Sequence, residues 1–155
     1  MKTKLPALGI ALLLVPGLGA QSGTAPLLFD PNADPLVLVA DACTGAVEAK
    51  KLVMIEFGAD WCHDCQALAR HMTDARVKAV MDTRFVLVRV DVGHFDKNLE
   101  LAKSYGLDVK KGIPTIAVID PASGRIVYAT LKQEWSDARN MTPTDILETL
   151  KEIRP

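Results

Sequence analysis

Apolar residues first fall into a helical rhythm after position 34. Leu36, Val39, Ala40, Cys43 and Val47 recur at spacings of three and four, which places them on one face of an amphipathic helix. Asp34-Pro35 ahead of them supplies an N-cap followed by proline at the first helical position, and Lys50-Lys51 closes the segment. The pattern then switches. Positions 52–57, Leu-Val-Met-Ile-Glu-Phe, are almost continuously apolar, as expected of a strand buried on both faces, and Glu56 is the exception. Gly58-Ala59-Asp60 reads as a turn, and a helical pattern runs from Cys62 to about Met81, in which Thr73-Asp74 offers a break. A second buried strand at 85–90 leads through a loop at 91–96 into a helix at about 97–105. Strand, helix, strand, helix implies a right-handed parallel crossover.

The last third changes grammar. Two apolar runs at 115–120 and 125–129 flank Pro121-Ala122-Ser123-Gly124, a hairpin signal that adds an antiparallel pair. Thr142-Pro143-Thr144-Asp145 then gives an N-cap, a first-turn proline and an acid at the third helical position, and Ile146, Leu147, Leu150 and Ile153 form the core stripe of a terminal helix. The sum is an α/β fold, a mixed sheet of four to five strands with helices on both faces.

Residues 1–20 follow a different rule. Lys2 and Lys4 precede an apolar run that ends in Pro16, Gly17 and a small residue, Ala20. This is the three-part layout of a secretory signal peptide, too short to span a bilayer as a stable helix. Cleavage is expected after Ala20, with Ala25 a second candidate. Gln21 stands where a lipoprotein would need cysteine, so a soluble exported protein, periplasmic or otherwise, is expected. The division is then a signal peptide at 1–20, an irregular arm rich in Pro, Gly, Ser and Asn at 21–34 that wraps or trails the domain, and one domain at 35–155. Without the first 20 residues the net charge falls from −1 to −3, because two lysines and no acid are removed. Lys and Arg are scattered, so nothing suggests a nucleic-acid partner. An apolar content of 49% excludes a disordered chain, and 3 cysteines are too few for a disulfide-stapled miniprotein.

The chemistry concentrates in Trp61-Cys62-His63-Asp64-Cys65, at the junction of a buried strand and the next helix. A helix N-terminus presents unpaired N–H groups and about half a positive charge, which favours the Cys62 thiolate, the nucleophilic form. Cys65, one turn further in, is more shielded and is placed to attack a mixed disulfide formed on Cys62.

With the strand at 52–57, the segment Ala59-Asp60-Trp61-Cys62-His63-Asp64-Cys65 and Gly112-Ile113-Pro114-Thr115 ahead of the hairpin, the chain from about 51 to 153 resembles the thioredoxin superfamily. The Ala-Asp-Trp-Cys opening looks most like the C-terminal thioredoxin-like domain of the transmembrane thiol:disulfide interchange proteins, which carry reducing equivalents into the bacterial periplasm. The resemblance implies a thioredoxin-like fold and a thiol:disulfide oxidoreductase in which Cys62 attacks and Cys65 resolves. Pro114 would be a cis-proline facing the disulfide, with the backbone of Ile113 pairing to an extended substrate, and Trp61 would shape the docking surface. Glu56 matches the family's buried acid, which moves a proton to or from Cys65. Protein disulfides are the implied substrates, a membrane-bound thiol:disulfide reductant the implied electron donor, and the cysteine pair itself the redox group, with no cofactor and no metal.

The chain departs from that family between its cysteines. His63-Asp64 is neither Gly-Pro nor Pro-His. Asp64 opposes thiolate formation and His63, when protonated, offsets it, so both tune the site toward a reducing or intermediate potential. The loop Gly93-His94-Phe95-Asp96 and the connection at 106–111 are also unusual. Elsewhere the plainer readings are preferred. Cys43 is expected to be buried and unpaired, His71 a surface residue, His94 a loop residue, and Trp135 a cover for the sheet. The competing function is a metal-handling module, for example for copper, using the same dithiol as soft ligands; Glu56 and Pro114 favour redox exchange, since metal binding needs neither.

Overall fold

The computed structural model describes residues 27–155. The expected signal peptide, its cleavage site and the first part of the arm lie outside the described residues. Helix α1 (Pro35–Ala49) leads into strand β1 (Leu52–Gly58), then α2 (His63–His71), α3 (Ala75–Arg84), β2 (Phe85–Asp91), α4 (Leu99–Ser104), β3 (Thr115–Asp120), β4 (Arg125–Ala129) and α5 (Pro143–Glu152). The four strands form one mixed sheet in the order β2-β1-β3-β4. β1 runs parallel to β2 and antiparallel to β3, and β3 and β4 form the hairpin, with a register shift between Val118 and Ile119.

Side chains alternate across β1 and so feed two cores. Val53, Ile55 and Phe57 pack under α1 and α4 with Ala42, Ala46 and Ala102. Leu52 and Met54 face the other way, toward Leu68, Val77, Met81, Ile146 and Leu150 of α2, α3 and α5. Glu56 shares the parity of Leu52 and Met54, which places a carboxyl on an apolar sheet face. Trp135 is fully buried among Ile116 and Val118 and covers that face, as expected.

The helix caps follow the sequence closely. The Asp34 side chain accepts from Leu36 and Val37 N–H, and Thr142 and Asp145 form a complete capping box. The helical stretch expected from 62 to 81 breaks at Thr73-Asp74, where the sequence offers a break, because the Asp74 carboxylate accepts from the Arg76 N–H and starts α3 afresh. Two details differ from expectation. The helix expected at 97–105 is only Leu99–Ser104, since Asn98 takes a left-handed conformation. In α1 the buried line is Ala42 and Ala46, while Leu36 and Val47 are exposed and Cys43 is only half-buried as a free thiol. With apolar residues nearly all round that helix, its periodicity does not single out a face.

Candidate active site

β1 ends at Gly58, the chain turns through Ala59, Asp60 and Trp61, and Cys62 becomes the N-cap of α2. The Cys62 N–H donates to the Ala59 carbonyl (3.0 Å), and the Cys65 N–H donates to Cys62 Sγ (3.1 Å). The cap residue's sulfur therefore takes a bond that a Ser or Asp oxygen would take in an ordinary helix. Both cysteines are buried, and no disulfide joins them in this structure.

The two sulfurs are not equivalent. A hydrogen bond from Cys65 to its sulfur holds Cys62 below the ordinary thiol value, and the backbone N–H groups of Cys65 and Asp64 at the helix start outweigh what burial and the Asp64 charge oppose. Cys65 is pushed far up, first by its hydrogen bond to Cys62, then by burial and by the nearby charges of Cys62 and Glu56. The pair is thus asymmetric, with Cys62 favoured as thiolate and Cys65 held as thiol.

Facing them is the loop before β3. The Ile113-Pro114 peptide bond is cis, both residues are buried, and the Cys62 thiol donates to the Ile113 carbonyl at 3.5 Å. Trp61, 44% exposed, closes the other side. Its indole Nε1–H donates to the Gly93 carbonyl (2.8 Å), His94 stacks on its face (centroids 5.6 Å apart, 9° between planes), and Phe95 meets its edge at 5.5 Å. Gly93, Phe95 and Asn98 all adopt positive φ. The Asp96 carboxylate accepts from the His94 N–H (2.9 Å) and Asn98 Nδ2 donates to the Asp91 carbonyl (2.8 Å). The loop is thus bent to bring two rings against Trp61, and His94 is part of the surface around the cysteines. His63 points to solvent, while His71 is half-buried with Nε2 3.0 Å from the Ala138 carbonyl.

Glu56 lies beneath the turn, fully buried, and sits opposite Arg89 in the parallel register. Arg89 Nε donates to Oε2 at 2.9 Å, and Oε1 has no hydrogen-bond partner among the described residues. Burial raises the Glu56 carboxyl above the ordinary carboxylate range, and the charge and hydrogen bond of Arg89 only partly reverse this. Desolvation of a wholly buried carboxylate outweighs one cation whose own side chain keeps 24% exposure.

Sequence reasoning missed three side chains here. Arg89 had a signal: it interrupts the second buried strand as Glu56 interrupts the first, and opposite charges in two apolar runs suggest a pair. Arg139 had none. It lies 75 residues from Asp64, yet its backbone N–H (3.0 Å) and Nε (3.1 Å) both donate to Asp64 Oδ1. The charge expected to oppose the Cys62 thiolate is therefore tied to a guanidinium. Phe29, buried against Gly58 from the arm at 27–34, is the third. Arg139→Ala is expected to slow alkylation of Cys62 at neutral pH about two- to fivefold by releasing that charge. Asp64→Asn should speed it and erase the effect of Arg139→Ala in the double variant; equal losses in both backgrounds would show that Arg139 acts only through folding.

The two thiols are also soft metal donors, but among the described residues no group of three or more His, Cys, Asp or Glu side chains is placed to hold an ion. No helix among those residues is long and apolar enough to cross a membrane.

Comparison with known proteins agrees with this geometry. The thioredoxin-like family model matches residues 35–121, more than half of the chain. The chain belongs to the thioredoxin-like family. By fold and by dithiol it falls in the thiol:disulfide oxidoreductase class. The crystal structure of a disulphide isomerase from Xylella fastidiosa Temecula1 is 33% identical, with a TM-score of 0.78 over 84% of this chain and 98% of that one. The reduced C-terminal domain of DsbD from Neisseria meningitidis is 25% identical, with a TM-score of 0.60 over 79% of this chain and 98% of that one. A protein disulfide isomerase-like 5-3 of Oryza sativa subsp. japonica is 36% identical over 76 residues, 48% of this chain but only 16% of that protein's length. The four-stranded mixed sheet of the thioredoxin-like family member is the one expected from its sequence.

Proposed function

We propose that the protein is an exported thiol:disulfide oxidoreductase that exchanges disulfides with protein substrates through Cys62 and Cys65, in the reducing or isomerising direction. The observation that carries this reading is the asymmetry of the pair: a Cys62 thiol favoured as thiolate beside the Ile113 carbonyl, and a fully buried Cys65 one helical turn behind it. The signal-peptide layout of residues 1–20 supports export.

In the forward step the Cys62 thiolate attacks one sulfur of a substrate disulfide. The substrate S–S bond breaks, a Cys62 mixed disulfide forms, and the first substrate sulfur leaves as a thiolate that takes up a proton. Cys65 then loses its proton to the Glu56 carboxylate, whose unpartnered Oε1 is the available acceptor, and attacks Cys62 Sγ. The mixed disulfide breaks, the second substrate sulfur leaves as a thiolate that takes up a proton, and the protein is left with a Cys62–Cys65 disulfide. Two electrons have moved from the dithiol to the substrate. A membrane-bound thiol:disulfide reductant restores the dithiol by the same exchange in reverse. Trp61, Ile113 and Pro114 form the surface on which the substrate segment lies, and His63 and Asp64 tune the sulfurs.

Trapping tests the reading. Cys65→Ser in the host is expected to accumulate mixed disulfides on Cys62 with exported proteins and with a membrane thiol carrier, and the unaltered protein is expected to turn over a model protein disulfide. An empty trap with no turnover would sink it, and tight Cu(I) binding with negligible reductase activity would replace it by the metal-handling alternative. Equilibration with glutathione sets the direction: a potential near that of strong oxidants, about −120 mV, would reverse it.

A further inference from the structure

Residues 27–34, the described part of the arm, are mostly exposed or half-buried, yet one of them is in the core. Leu27 is 62% exposed and Asp30 is exposed, while Phe29 between them is 1% exposed and belongs to the same core as Phe57 and Cys65. Gly58 makes room for it. A side-chain carbon at position 58 would stand 2.5 Å from Phe29 Cζ and 2.8 Å from Cys65 Sγ, so ring and sulfur both border the space that a side chain there would fill.

The arm is also fastened to the active-site turn. The Leu28 N–H donates to Asp60 Oδ1 at 2.8 Å, and Asp60 directly precedes Trp61. The Asp60 carbonyl is itself held by Gln66 Nε2 (2.6 Å) from α2, and Lys97 Nζ donates to the Pro31 carbonyl at 3.3 Å. None of these contacts is needed for the exchange steps at Cys62.

We propose that the arm segment at 27–34 is a working part of the redox site: Phe29, tethered through Asp60, seals Cys65 from solvent, so that Cys65 is reached only from the Cys62 side. The consequence is order in the reaction. An external disulfide meets Cys62 first, and Cys65 reacts only with the mixed disulfide delivered to it inside the protein. Phe29 and Asp60 are positioning residues, since neither touches the reacting sulfur of Cys62. The inference rests on the oxidoreductase reading for its purpose, but its test reads thiol access and not turnover.

In a Cys43→Ala, Cys62→Ser background Cys65 is the sole thiol. Phe29→Ala is expected to raise its alkylation rate by a small haloacetamide about tenfold or more, because access then needs only local opening. Phe29→Leu should return the rate toward the parent's. Ile119→Ala, which hollows the same core at the far end of the sheet, should leave it at the parent's rate. An unchanged rate in Phe29→Ala, or an equal rise in Ile119→Ala, would overturn the proposal. Should Phe29→Ala not fold, Asp60→Ala decides: faster alkylation supports the seal and an unchanged rate overturns it. Turnover of a model disulfide by the protein with all its cysteines reports separately on the oxidoreductase reading.

Discussion

Cys62→Ala is expected to lower the rate of disulfide reduction by at least about a thousandfold, whereas Cys65→Ala slows the first attack only as far as the lost Cys65 hydrogen bond lowers the thiolate fraction, and stops the second. The difference follows from position. Cys62 receives the Cys65 N–H and faces the Ile113 carbonyl, and its thiol is held below the ordinary value by the Cys65 hydrogen bond and the helix-start N–H groups. Thiolate fraction sets the rate of attack. The first-step rate should therefore rise with pH and reach its plateau below the pH at which an ordinary thiol of value 9.0 would. Rapid mixing with a chromogenic disulfide checks both points. Without added thiol, Cys65→Ala should release one equivalent of leaving group per protein and then stop. Equal losses in the two variants would mean that the sulfurs share the work, contrary to their burial and hydrogen bonding.

Much of this arrangement was legible in the chain because short-range chemistry specifies it. Asp34-Pro35 and Thr142-Pro143-Thr144-Asp145 start helices by satisfying their own N–H groups, and both do so where expected. The nearly unbroken apolar run at 52–57 is a central strand, flanked by β2 and β3. The pair Cys62 and Cys65 sits at a strand-to-helix junction for the same local reason. What escaped depends on contacts between distant segments. Arg139 reaches Asp64 across 75 residues, and nothing about the stretch Ala138-Arg139-Asn140 marks it as a partner. Phe29 lies in a run that reads as loop by composition, and only the missing side chain of Gly58 explains how an aromatic ring fits there. The buried face of α1 was misjudged for the opposite reason, since a helix with apolar residues on nearly every side carries too little contrast to orient itself.

Glu56 and Arg89 tie these threads together, because a charge in a core strand is costly and its partner decides how costly. Arg89→Leu is expected to destabilise the fold by about 2–4 kcal/mol at neutral pH, since it leaves a wholly buried carboxylate uncompensated. The effect should grow with pH. The Glu56 carboxyl already titrates above its unfolded value of 4.5, so its favourable contribution is complete below that value and is lost as pH rises through the folded one. Removing Arg89 withdraws the attraction that lowers the folded value, so the loss extends over a wider range. Urea unfolding of parent and Arg89→Leu should accordingly nearly coincide below pH 4.5 and separate steadily toward pH 8. Adding Glu56→Gln to Arg89→Leu should flatten the pH dependence and recover much of the stability, because neither charge then remains in the core. A gap between parent and Arg89→Leu of the same size at low and high pH would show that Arg89 acts by packing on Met72, which its guanidinium also approaches at 3.8 Å, and not by holding the carboxylate charged. The same charge reaches the chemistry: Glu56 opposes ionisation of Cys65, so the step that releases the reduced substrate should shift its pH dependence in Glu56→Gln, while the first attack by Cys62 keeps its own.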